Sequence, residues 1–168
     1  MEDNTKTAAE ETAAAANTAE EALADGEQIS GLDAFDTNAP SEEGRVMEAR
    51  NPAGTEILRW PDGRPYTITL YGVDSKRVVD EARKQADRRT TFMSRSRQTV
   101  SSSVVEKDNV ELLVVSTKSW DIALSNGKSA KNDAKEFRAA YQKYRWLYDQ
   151  ANEFMGNRGN FMKTKPSS

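Results

Sequence analysis

The 168-residue chain contains neither cysteine nor histidine. Without cysteine there are no disulfides, thiol nucleophiles or iron–sulfur ligation. Without histidine the usual zinc ligand, the Ser–His–Asp triad and the one side chain that ordinarily titrates near pH 7 are all missing. No run of 18 apolar residues occurs, so the sequence offers no membrane-spanning helix. Its first residues do not read as a basic-then-apolar export signal. Gly54, Gly63 and Gly72 follow no phosphate-loop spacing. These absences point away from an enzyme, and the reading expects no catalytic residue, no cofactor and no metal.

What is present is charge, unevenly placed. Charged residues make up 30% of the chain and hydrophobic ones 36%, too few to build a core along its whole length. Residues 1–44 hold twelve acidic side chains against Lys6 alone, a net of −11, whereas residues 45–168 carry +8. The expected organisation is a disordered acidic arm over 1–44, a folded domain over 45–162 and a short basic tail over 163–168. In the arm, Thr7 to Ala24 is nearly all Ala, Glu and Thr, with Leu23 its only large apolar residue. Such a segment has no face with which to dock as a helix. Ile29, Leu32 and Phe35 recur at three-residue steps, either as a short docking motif or as scattered apolar residues of a linker. The arm serves either as a solubilising tail or as a screen over the basic face until a partner displaces it.

The folded part is expected to be α+β and mainly α. Pro61-Asp62-Gly63-Arg64-Pro65 is a strong turn signal, and Tyr66 to Tyr71 alternates as a strand, so a β-hairpin is predicted over about 56–71. Two or three packed helices should follow. Lys76 to Arg97 has helical propensity and is strongly basic, with Asp74 or Ser75 as its N-cap. The run Val110 to Val115 fits either a helix capped by Asp108 or Asn109 and reaching Trp120, or a buried strand; the reading favours helix. Ser125 to Lys128 reads as a turn, and Asp133 with Glu136 as a capping pair. From Phe137 to Met155 aromatic and apolar residues fall at steps of three and one, one helix with a wide apolar face ended by Gly156 in a left-handed conformation. Phe161 is expected to fold back onto the body.

Two features are candidates for function. The basic helix offers charge for nucleic acid, but its acids at helical spacing, as in Asp80 with Lys84, are those of a solvated face. The aromatic stripe offers partner-binding surface, for which the candidate residues are Trp120, Tyr144, Trp146, Tyr148 and Phe161. Phe137, Tyr141 and Phe154 read better as core. Trp146 lies off the main stripe and is the strongest of the partner candidates.

Taken in order, Asn51-Pro52-Ala53-Gly54-Thr55, Pro61 to Pro65, Thr67 to Gly72 and Asp74-Ser75-Lys76 resemble the opening of a family of tail assembly chaperones of tailed bacteriophages. Trp120, Asn126-Gly127, Tyr144 to Gln150 and Asn160-Phe161 resemble its second half. The likeness spans about residues 50–162 and omits the acidic arm. It implies a siphovirus-type, non-enzymatic protein that binds the tape-measure protein and keeps it soluble until tail tube protein polymerises around it. It further implies action in the host bacterial cytoplasm and absence from the mature virion, with homo-oligomers allowed. The alternatives are a structural virion protein, such as a head–tail connector, minor capsid or tail component, and, less favoured, a nucleic-acid-binding protein.

Overall fold

The computed structural model describes residue 32, residues 35–124 and residues 127–162. The rest of the proposed arm, Ser125 and Asn126 of the proposed turn, and the basic tail lie outside the described residues. Of the apolar triplet in the arm, Leu32 and Phe35 are described and both are exposed. One compact unit begins at Phe35, ahead of the boundary expected at residue 45.

The architecture is α+β and mainly α, with a three-stranded antiparallel sheet of order β1-β2-β3. The elements run α1 (Asn38–Glu43), β1 (Arg45–Glu48), β2 (Thr67–Leu70), α2 (Lys76–Ser96), α3 (Ser102–Ser116), β3 (Thr117–Asp121), α4 (Ala134–Lys143) and α5 (Arg145–Gly156). A 3₁₀ turn, Arg158–Phe161, closes the described chain. Among the described residues, no helix is long and apolar enough to cross a membrane.

β2 is the central strand. Its alternation behaves as the sequence suggests, with Ile68 and Leu70 fully buried on the helix-covered face. The partner of β2 differs from the expected hairpin. The turn at Pro61–Arg64 forms, with Gly63 at φ +90 and Trp60 N–H donating to Arg64 O, but the residues before it make only isolated bridges. The ladder runs instead to β1, pairing Met47 with Ile68, and to β3, pairing Ile68 with Trp120. β1 falls at the very start of the expected domain, and α1 inside the expected arm, with Pro40 and Ser41 buried.

Helix α2 matches its predicted span. Ser75 holds the N-cap position without a side-chain bond, and the Glu42 carboxylate accepts from Lys76 N–H instead. Helix α3 starts at Ser102, so Asp108 and Asn109 sit inside it rather than cap it. Trp120 is on β3, not on a helix. The chain passes from helix to strand at 116–117 without a loop, the Thr117 N–H bonding Leu113 O and Val114 O and its hydroxyl also donating to Leu113 O. At Asp133 the cap forms as expected, its carboxylate accepting from Glu136 N–H at 2.8 Å.

Three segments meet where β2 ends. Gly72 N–H donates to Ser41 O at 3.1 Å, and a Cβ on Gly72 would lie 2.3 Å from Ser41 Oγ and 3.0 Å from the Phe161 ring. Two residues on, Asp74 accepts from the Thr37 hydroxyl at 2.6 Å and from two nitrogens of Arg158, each at 2.8 Å. The Arg158 guanidinium, aided by Thr37, holds the Asp74 carboxyl below its usual value of 3.8 against the opposing effect of burial. A carboxyl lowered on folding stabilises the folded state above its unfolded value and loses that contribution as pH falls through the lowered one.

Gly72→Ala is therefore expected to destabilise the unit by about 1–3 kcal/mol in urea unfolding, through overpacking against backbone-anchored neighbours. Asp74→Asn is expected to be less stable than the parent at neutral pH. The gap should narrow as the pH is taken below 3.8, and a gap independent of pH would assign the loss to packing alone.

Candidate functional site

The aromatic sequence after Asp133 folds as two helices rather than one. The break is at Tyr144, whose φ of −110 and ψ of 81 end α4 and start α5. Tyr144 N–H still reaches Ala140 O at 2.7 Å, while its carbonyl accepts from Leu147 and Tyr148 N–H. Along an unbroken helix, residues two apart do not face one another. The break removes that restriction, and the Tyr144 and Trp146 rings meet at 6.3 Å with a tilt of 58°. Both are half-buried.

The two rings form one wall of an apolar groove of about 240 Å³. Leu58 and Tyr66, from either side of the 61–64 turn, form a second wall, and Ile122, Leu124 and Leu147 supply the floor and far end. The surroundings hold these walls in place. Trp60 stacks edge-on against Tyr66 at 5.1 Å, and Arg64 lies over the Trp60 ring at 5.8 Å. Gln150 of α5 clasps the backbone before the turn, its oxygen accepting from Arg50 N–H and its nitrogen donating to Arg50 O and Asn51 O.

The other candidates from the sequence are core. Trp120 is 4% exposed, packs against Phe137 at 4.6 Å, and donates its indole N–H to Lys131 O. Tyr148 is buried against Tyr141, and Arg145 lies over its outer face at 4.4 Å. Phe161 folds back as expected and is completely buried against Phe154, which removes it from any surface. Three of the five proposed contact residues thus lie inside the fold, because a wide aromatic face in a small domain is what its core is made from. Gly156 closes α5 without a positive φ, contrary to the expected left-handed cap.

Sequence reasoning missed Tyr66, Leu58 and Leu124 as neighbours of Trp146. The Pro-Asp-Gly turn that joins the first two was visible, but nothing local tied it to α5.

Chemically the groove offers apolar contact and aromatic edges. Among the described residues, no group of three or more His, Cys, Asp or Glu is placed to hold a metal. Behind the groove, Tyr141 is 1% exposed and its hydroxyl pairs with the Thr117 hydroxyl at 2.8 Å. Burial pushes the Tyr141 phenol far up, with the Thr117 bond opposing, so it stays protonated at any physiological pH.

Tyr141→Ala should destabilise the unit by about 3–5 kcal/mol, since it opens a large cavity and removes one of the two partners of the Thr117 hydroxyl. Trp146→Ala should cost clearly less in the same thermal or urea titration, because part of its ring already faces solvent. Equal losses would place Trp146 in the core.

Compared with protein-family models, curated proteins and solved structures, the chain has no match.

Proposed function

We propose that this protein is a tail assembly chaperone of a tailed bacteriophage, which lends an apolar surface to the tape-measure protein and makes or breaks no covalent bond. The observation that carries the reading is the groove walled by Tyr144 and Trp146. Its volume of about 240 Å³ falls below the roughly 300–1,000 Å³ of sites that enclose small molecules. It suits one or two large side chains projecting from a partner helix, held from outside.

Aromatic groups that keep one face exposed at modest strain are the usual anchors of protein interfaces. An extended apolar rod displays such side chains repeatedly along its length, so many copies of a small domain can coat it. Each contact must be weak enough to be released as the tube grows, which sets the dissociation rate as the property to be tuned. The net charge of −11 over residues 1–44 opposes clumping of the coated rod. The motif likeness over about residues 50–162 supports the same assignment.

Co-expression with the tape-measure protein of the same phage tests the proposal. The full chain is expected to keep that protein soluble, and Tyr144→Ser with Trp146→Ser to abolish the effect while the chain itself remains folded by circular dichroism. Mass spectrometry of purified virions is expected to find the protein missing; a fixed stoichiometric copy number there would make it a structural component instead.

A further inference from the structure

A second surface lies at the far end of the α2–α3 pair. The two helices run antiparallel, joined side by side where the Gln85 amide donates to Asp108 O at 2.8 Å and Arg89 pairs with Asp108 at 2.7 Å. Beyond that clasp the pair buries nothing. From Ala86 to Val104 every residue is exposed except Arg89, Ser96 and Val100, which are half-buried. Yet this solvent-facing tip holds three large apolar side chains, Phe92 at 47%, Met93 at 45% and Val104 at 43% exposure. Phe92, Val100 and Val104 line a groove of about 390 Å³ together with Arg88, Arg89 and Asp108 and with Gln98, Thr99 and Ser101 of the connecting loop.

The charge around it is mainly positive. Residues 83–107 carry seven basic side chains against two acidic ones, a net of +5. Arg88 and Arg89 are engaged with Asp108 and hold the groove wall in shape. Arg95, Arg97 and Lys107 make no salt bridge with any described residue. Basic side chains without an ion-pair partner, on the same helix pair as a groove with apolar lining residues, complement a ligand that is apolar at its centre and negative at its margins.

We propose that the α2–α3 tip is a docking site for an acidic amphipathic polypeptide segment. An apolar side chain of that segment seats between Phe92, Val100 and Val104, and its flanking carboxylates meet Arg95, Arg97 and Lys107. This surface shares no lining residue with the Tyr144–Trp146 groove, so one molecule can hold two polypeptides at once. A polypeptide fits better than a nucleic acid. Phe92, Val100 and Val104 offer a place for an apolar side chain, which a sugar–phosphate chain has no group to fill.

The experiment uses the full chain and fluorescence anisotropy. The probes are a labelled 14-residue peptide with Leu and Phe at helical spacing on one face and Glu elsewhere, the same peptide with Lys for every Glu, and a labelled 20-base-pair DNA duplex. The acidic peptide is expected to bind in a salt-sensitive manner and the lysine peptide not to bind. Phe92→Ser with Val104→Ser should weaken the acidic peptide at least tenfold. Arg95→Glu with Arg97→Glu should weaken it by a similar factor and flatten the salt dependence. Both variants should unfold at the parent's temperature, because the replaced side chains are exposed, and Trp146→Ala should leave this binding unchanged. No binding of the acidic peptide would overturn the proposal. So would binding that ignores the apolar pair, or tighter binding of the duplex.

Discussion

The unit depends on how closely the Ser41 and Phe161 side chains approach the backbone at residue 72. Where β2 ends, the chain must turn away into α2 while α1 and the terminal 3₁₀ turn close over the same spot. Only a residue with no side chain leaves room for Ser41 on one side and Phe161 on the other. The hydrogen bond from Gly72 to Ser41 and the shared Asp74 carboxylate then fix these segments without much apolar area. With the strand end sealed, the Ile68–Leu70 face is free to serve only as floor for α3 and α5.

The break at Tyr144 solves a second geometric problem. A straight helix from 134 to 156 would present its aromatic stripe to the core and leave Trp146 alone on the outside. Bending the chain at one residue keeps Phe137, Tyr141, Tyr148 and Met155 inward and turns Tyr144 toward Trp146. The groove is thus a by-product of packing the core, held by the same residues that stabilise it. The α2–α3 tip is built on the opposite principle: it contributes nothing to the core, carries excess positive charge, and is shaped by ion pairs to Asp108.

Local patterns explain which parts were legible from the residues alone. Alternation in Tyr66 to Tyr71, the charge-and-apolar period of Lys76 to Ser96 and the Asp133 cap are short-range signals, and all three elements form as read. β1 and β3, Arg45–Glu48 and Thr117–Asp121, carry no alternating run of β-branched and aromatic residues like that around β2, and their pairing with β2 joins residues far apart in sequence. The run from Val110 to Val115 is rich in β-branched residues but stays helical, because its inward faces, Val110, Leu113 and Val114, fall at helical steps. Nothing at Tyr144 announces a break, since neither Gly nor Pro is there, and the turn of backbone answers to the packing around it. The candidate contact residues were chosen for their aromatic character, which a core needs as much as an interface does; only Tyr144 and Trp146 reach the surface.

Because Thr37 and Arg158 bind the same carboxylate, the two ends of the folded unit lie side by side. Ends this close allow the chain to be rejoined in another order. A short linker joining those ends, with new termini opened in the exposed Pro61–Gly63 turn, would keep all strand pairings and the α2–α3 groove in a circular permutant while loosening the Leu58–Tyr66 side of the other groove. A module joined just before Thr37 or just after Met162 would leave the described residues from one side of the Asp74 contact.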